Sequence, residues 1–188
     1  MASVYKQQLL DFVSNLDVKA GIVIDIGGSQ DPVKGRTKSW DVNNYLIADL
    51  PQPHYTKQSP DIEFDLDKVQ IDELPKADLV FCFEVFDYIR DPITAFNNVS
   101  RMLNPGGSAW VSLPIFYPLH NPVLDEGLRY TEPAIRWYGD QFGMPVQEIV
   151  YRKANSHKLL EYISEDGFRA APGYDHSVIG YIVRFQRD

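Results

Sequence analysis

Gly21-Ile22-Val23-Ile24-Asp25-Ile26-Gly27-Gly28 is the stretch that decides the fold of this chain. Four β-branched apolar residues, interrupted only by Asp25, run directly into two glycines. A short apolar run stopped in this way predicts a central parallel strand buried on both faces. Gly27 and Gly28 predict a tight turn at its carboxyl end, where the backbone can approach a ligand with no Cβ between them. In open α/β sheets that edge is where ligands bind.

Working outward, residues 3–17 place Tyr5, Leu9, Phe12, Val13 and Leu16 on one helical stripe, with Ser3 available as cap. Residues 29–44 contain Pro32, Gly35 and scattered Ser, Thr and Asn, so the first crossover is expected to be a loop or one short turn. Further strands are expected at Tyr45–Ala48, Asp61–Leu66, Leu79–Phe83, Ser108–Leu113, Val146–Tyr151 and Val178–Phe185, with brief helices at 69–74 and 158–164. Asp91-Pro92 opens a helix in the order that capping favours, and Ile93, Phe96, Val99 and Leu103 keep its spacing until Asn104-Pro105-Gly106-Gly107. Thr131 is expected to cap a helix carrying Ile135, Tyr138 and Phe142. The alternation implies a doubly wound, mostly parallel sheet with helices on both faces.

Eighteen basic and twenty-six acidic residues give 18 − 26 = −8, which disfavours nucleic acid as a partner because a phosphate backbone wants a clustered basic face. Lys34, Arg36 and Lys38 alternate along one loop and could attract an anionic group, although a solvated loop is the commoner meaning of such a run. There is no charged-then-apolar leader and no long uncharged apolar run, so neither signal peptide nor membrane span is expected. Cys82 stands alone in Leu79-Val80-Phe81-Cys82-Phe83 and reads as a buried small hydrophobe, consistent with a reducing cytoplasm. His54, His120, His157 and His176 have no ligand-like spacing, so no metal is expected. The length suits one domain, residues 1–188: an N-terminal helix (1–20), a half built around the glycines (21–115) and a second half (116–188). A homodimer is compatible with this reading.

Several landmarks fall at the carboxyl ends of successive expected strands: Gly27-Gly28, Asp49, Asp65-Leu66 and Phe83-Glu84. In a doubly wound sheet these converge on one crevice. Asp49 follows Asp25 by 49 − 25 = 24 residues and is placed to accept hydrogen bonds from both hydroxyls of a ribose. Asp65 could accept from an exocyclic amine while the Leu66 N–H donates to a purine. Any one of them alone reads as a solvated carboxylate at a strand end; the ordered series carries the weight.

Together IVIDIGGS, LIADL, DIEFDL and ADLVFCFEVFDYIRDPITAFNNVSRMLNPGGSAWVSLP resemble a class I S-adenosylmethionine-dependent methyltransferase of the small bacterial type. In that group the fourth strand runs into an "EVLEH" motif and a "DP…L…RVLKPGG" helix and turn. Here those stand as Glu84-Val85-Phe86-Asp87-Tyr88 and as Asp91-Pro92 through Gly106-Gly107. The resemblance covers roughly residues 20–115 and implies a seven-stranded Rossmann-like sheet. It also implies that Asp25, Gly27 and Gly28 shape the pocket for the methionine end of the cofactor. Asp49 would hold the ribose, Asp65 and Leu66 the adenine, and Phe83 and Glu84 the floor beneath the sulfonium. The chain departs from the family where Ser29-Gln30 follows Gly28 in place of a third glycine, and where Tyr88 replaces the common histidine.

Methyl transfer from a sulfonium is an in-line displacement that needs positioning and, for a hydroxyl acceptor, a base. His120 is the candidate base, with a locally bonded loop histidine as the plain alternative. Tyr88 is a second catalytic candidate, Tyr117 and Arg129 are candidate acceptor contacts, and packing or a salt bridge is open for each. The expected substrate is a small molecule, such as a sugar or other hydroxylated metabolite. Two other readings compete. A nicotinamide-dependent oxidoreductase would want G-x-G-x-x-G opening a long helix, where this chain has Gly-Gly-Ser-Gln-Asp-Pro. A non-catalytic methyltransferase-like module would keep the fold and lose the cofactor.

Overall fold

A computed structural model describes residues 3–53, 58–69, 74–116, 127–154 and 177–188. Its elements in chain order are α1 (Val4–Ser14), β1 (Asp17–Ile26), β2 (Ser39–Asp49), β3 (Ile62–Glu63), β4 (Ala77–Cys82), α2 (Pro92–Met102), β5 (Leu103–Pro114), α3 (Glu132–Gln141), β6 (Val146–Lys153) and β7 (Val178–Gln186). The sheet has seven strands in the order β3-β2-β1-β4-β5-β7-β6. β1 pairs in parallel with β2 and β4, and β4 with β5, whereas β7 runs antiparallel between β5 and β6. The sheet is therefore mostly parallel, and the apolar run Ile22–Ile26 lies at its centre.

Each face has its own core. Leu9 and Val13 of α1 pack with Val18, Val23, Phe81, Trp110 and Ile182 on one face. On the other, α2 and α3 contribute Phe96, Val99, Met102 and Ile135 against Ile24, Val80, Val111 and Phe185. A strand buried on both sides must be apolar on both sides, which is why β1 and β4 read as continuous rather than alternating runs.

The caps follow the residue chemistry closely. The Ser3 hydroxyl accepts from Lys6 N, and Asp91 accepts from Thr94 N with Pro92 opening the helix. A cap of this type stabilises a helix by about 1 kcal/mol. Thr131 precedes α3 but makes no side-chain cap bond; Pro133 in the first turn and Glu132 paired with Arg136 define that start instead.

Several expectations change in extent. β1 begins at Asp17, well before Gly21. The third strand shrinks to Ile62–Glu63, because only Ala48 and Asp49 of β2 pair with it. α2 stops at Met102 and the chain is already extended through Asn104–Gly107, so that tetrapeptide belongs to β5. A Cβ on Gly107 would lie 2.9 to 3.2 Å from the carbonyl oxygens of Asn104, Ala77 and Asp78, so the close approach of β5 to β4 requires glycine there. The first crossover, expected as a loop over 29–44, contains turns and no helix but ends at residue 38, because β2 begins at Ser39, before the expected Tyr45. The expected helices at 69–74 and 158–164 fall mainly or wholly outside the described residues.

Candidate functional site

Backbone pairing brings the strand-end landmarks onto one rim. Ile26 is in register with Ala48 on one side and Cys82 on the other. Just beyond, Gly27 N donates to Ala48 O at 2.8 Å, and Phe64 N donates to Asp49 O at 2.7 Å. Gly27-Gly28, Asp49, Asp65-Leu66 and Phe83-Glu84 therefore end four adjacent parallel strands at the same edge, as the sequence implied.

The packing around the glycines requires them. A Cβ on Gly27, whose φ is +78°, would lie 2.4 Å from Val85 Cγ2; one on Gly28 would lie 2.7 Å from Asp25 Cγ. Protein atoms fill the space a side chain would need. Gly28 rests on a buried carboxylate, and that carboxylate organises the whole crossover. Asp25 accepts from Val33 N at 2.7 Å and from the Tyr45 hydroxyl at 2.6 Å. Burial pushes its carboxyl up to about 6, opposed by those two hydrogen bonds and by Arg36, and reinforced by the Asp49 charge. The Tyr45 hydroxyl is pushed up by its own burial and by Asp25. Asp25 is thus a buttress behind the glycine turn.

Asp49 faces the turn from β2. Its Oδ2 accepts from Ser29 N at 3.1 Å and its Oδ1 from Leu50 N at 2.8 Å. A carboxylate offers about four acceptor sites, so each oxygen keeps capacity for a further donor. Beside it the Ser29 hydroxyl is buried with no hydrogen-bond partner among the described residues. Asp65 accepts from Asp67 N at 3.1 Å and meets Lys68 Nζ at 2.9 Å. Leu66 is buried, and Asn98 of α2 donates to its carbonyl at 3.1 Å and to that of Lys68 at 2.8 Å. Asp67 in turn accepts from Arg90 N and Asp91 N, at 3.1 and 2.7 Å through Oδ1. The segment after β3 is thereby fastened to the start of α2.

Phe83 turns its ring toward α1, edge-on to Phe12 with centroids 6.3 Å apart. Glu84 occupies the left-handed region at φ 58°, a rare conformation for a residue with a side chain. Its N–H donates to Ser112 Oγ at 2.7 Å, and its Oε1 accepts from Arg152 Nη1 at 2.8 Å. Strain of this kind persists where the surroundings over-determine it, and it clusters at functional sites.

The acceptor-side candidates divide. Gly127 N donates to Asp87 O at 2.6 Å and Tyr130 N to Pro114 O at 2.7 Å, which lays Gly127–Tyr130 across the segment holding Tyr88 and against the end of β5. Tyr88 and Arg129 therefore stand on neighbouring segments at the rim; Arg129 Nη1 donates to Leu128 O at 3.2 Å. Tyr117 and His120, with His54, His157 and His176, lie outside the described residues. The basic alternation resolves into structural contacts: Arg36 donates to the Pro32 and Asp31 carbonyls, Lys38 pairs with Asp17 at 2.8 Å, and Lys34 lies over the Tyr45 ring. A separate cavity of about 440 Å³ between α1 and β6, lined by Phe12, Leu16, Val150 and Ile182 among others, contains none of the rim residues.

Residues 36–111 match the family described as methyltransferase domain. A comparison with curated protein sequences returns no match. Among solved structures, an S-adenosylmethionine-dependent methyltransferase from Mesorhizobium loti is 14% identical, with 97% of this chain and 98% of that one aligned at a TM-score of 0.60. The N-methyltransferase NodS from Bradyrhizobium japonicum WM9, solved with S-adenosyl-L-homocysteine, is 17% identical over 97% and 85% of the two chains, TM-score 0.55. An O-methyltransferase family protein from Burkholderia thailandensis is 16% identical over 97% of this chain and 56% of that one, TM-score 0.60. These likenesses concern the fold. The donor set of the rim suits S-adenosylmethionine: carboxylates on adjacent strand ends, a buried hydroxyl without a partner among the described residues and an apolar wall at Leu66. No helix of the described residues is long and apolar enough to cross a membrane.

Sequence reasoning missed Arg152, Tyr45, Ser112 and Asn98. Arg152 left no periodic signal: β6 does not alternate, and Arg152 is its one buried position.

Proposed function

We propose that the chain is an S-adenosylmethionine-dependent methyltransferase that transfers a methyl group to a small hydroxylated molecule, such as a sugar or related metabolite. The observation that carries the cofactor half of this reading is the Asp49 carboxylate, held by the backbone of the glycine turn and still able to accept from a ribose diol. In this reading Asp49 binds the ribose, and Asp65 with the Leu66 backbone binds the adenine. Gly27 and Gly28, braced by Asp25, shape the methionine end, and Phe83 and Glu84 form the floor. S-adenosylmethionine, when bound, supplies an electrophilic methyl on a sulfonium. The chain's own part is to hold that methyl and the acceptor in line and to exclude water. His120, with Tyr88 as the alternative, takes the acceptor proton; Tyr117 and Arg129 orient the acceptor. The net charge of −8 favours a neutral or cationic small acceptor over a polyanion. The domain boundaries 1–188, a cytoplasmic location and a homodimer belong to the same reading.

A dinucleotide oxidoreductase fits the rim poorly. The crossover after Gly28 holds only turns through residue 38, so there is no helix N-terminus there to receive a pyrophosphate. The test is labelled-methyl transfer into a metabolite extract, with identification of the product, alongside calorimetry with S-adenosylmethionine and S-adenosylhomocysteine. A labelled small hydroxylated product is the expected result. Heat of binding without any product would leave a non-catalytic module, and no heat with either ligand would remove the cofactor site from the rim.

A further inference from the structure

Arg152 is an arginine with almost no exposure in the edge strand β6, whose other residues are all exposed or half-buried. Its side chain is 1% exposed, and its two terminal nitrogens are divided between two elements. Nη1 donates to Glu84 Oε1 at 2.8 Å, after β4, while Nη2 donates to the Tyr5 carbonyl of α1 at 2.5 Å. The guanidinium also lies flat on the Tyr5 ring, 3.1 Å from its centroid. Tyr5 cannot retreat, because its ring packs on Gly180, where a Cβ would lie 2.7 Å from Cε2. A guanidinium is weakly hydrated and planar, so it tolerates this stacked and buried position where an ammonium would not.

The carboxylate it holds is not buried with it. Glu84 keeps 34% of its side chain exposed. Ser112 Oγ takes the Glu84 N–H and donates to Oε1 at 3.1 Å, so Oε1 is doubly held while the side chain keeps part of its surface exposed. The left-handed backbone of Glu84 is thus fixed from β5, and its side chain from β6 and α1. An ion pair serving stability alone would not need a strained backbone to bring one of its members to the edge where the four strands end.

We infer that Arg152 is a positioning residue that aims the Glu84 carboxylate at the methionine end of the cofactor, where it receives the ammonium group. This rests on the reading of the rim as the cofactor site. It ties the N-terminal helix and β6 to recognition of a part of the ligand that neither element touches.

The test compares two neutral thioethers on the full chain by calorimetry: S-adenosylhomocysteine, and 5′-methylthioadenosine, which lacks the ammonium and carboxylate. Arg152→Met is expected to weaken S-adenosylhomocysteine by about tenfold or more while methylthioadenosine stays within about twofold. Arg152→Lys, which keeps the charge and loses the two-headed grip, is expected to fall between. Glu84→Gln should show the same ligand selectivity, and the double variant should lose no more than either single one. If Arg152→Met does not fold, the double Arg152→Met/Glu84→Gln variant, which removes both charges together, carries the comparison. Equal weakening of the two ligands, an unchanged affinity for both, or additive losses would overturn the assignment. Failure of the unmodified chain to bind either ligand would instead sink the rim reading on which it depends.

Discussion

Replacing Asp25 with asparagine isolates the charge that braces the glycine turn. In the folded chain its carboxyl titrates at about 6, against an ordinary value of 3.8, and burial is the largest cause. A folded value above the unfolded one means the native state holds the proton more tightly. That contribution to stability is complete below pH 3.8 and is lost as pH rises through 6. The full difference, (6 − 3.8) pK units at about 1.36 kcal/mol each, comes to about 3 kcal/mol. Between pH 4.5 and 7.5, where the chain can be handled, about 2 kcal/mol of it is recovered. Other carboxylates pull the opposite way in acid: Asp17, Asp78 and Asp91 are lowered by hydrogen bonds. The informative quantity is therefore the difference between the parent and Asp25→Asn. Both donors share Oδ2, so an asparagine with its oxygen at that position can still accept from Val33 N and from the Tyr45 hydroxyl. Urea unfolding at several pH values should show the parent losing about 2 kcal/mol relative to the variant from pH 4.5 to 7.5. A difference flat with pH to within about 0.5 kcal/mol would mean that Asp25 is not the buried, proton-retaining group argued above.

Asp49→Ala should weaken S-adenosylmethionine by about tenfold to a hundredfold in calorimetry, the loss expected for hydrogen bonds to a charged acceptor, while the melting temperature moves little; unchanged affinity would take Asp49 out of the site. Gly27→Ala combines a left-handed backbone, about 1–2 kcal/mol, with a Cβ 2.4 Å from Val85 Cγ2, about 1–3 kcal/mol. Adding Val85→Ala should restore only the second part in thermal melts, and a double variant no more stable than the single one would contradict the packing argument. His120→Ala should reduce turnover and leave cofactor affinity unchanged; turnover equal to the parent's would reassign His120 to structure.

The parallel half of the sheet was legible because β1 and β4 carry apolar runs buried on both sides and the strand ends carry glycines or carboxylates. Asp49 and Asp65 could be placed from order alone, since parallel strands deliver their carboxyl ends to one edge. Extents were less legible. β1 continues back to Asp17 through Lys19 because β2 offers partners down to Ser39, a pairing no single segment encodes. Asn98 reads as a polar interruption of an amphipathic helix, and only the fold shows it bonded to two carbonyls after β3.

The crossover after β1 shows why the remainder was hidden. A helix at this position would satisfy its own backbone and cover β1 with an apolar stripe; here Pro32, Gly35 and the polar residues between them cannot do either. The loop is held by scattered contacts instead: Val33 buried against the α1-side core, Arg36 on two carbonyls, and Asp25 beneath Gly28. Each partner comes from a different segment, so no local spacing announces them. A loop fixed from below by one carboxylate has few ways to move its backbone, and its Ser29 N–H is already committed to Asp49. The cost of lacking a helix is therefore carried by Asp25, a charge kept away from water so that the turn beside Asp49 stays in one conformation. Cofactor affinity and the pH dependence of folding should consequently change together in substitutions at Asp25 and separately at Asp65, whose carboxylate is tied to Lys68 at the protein surface.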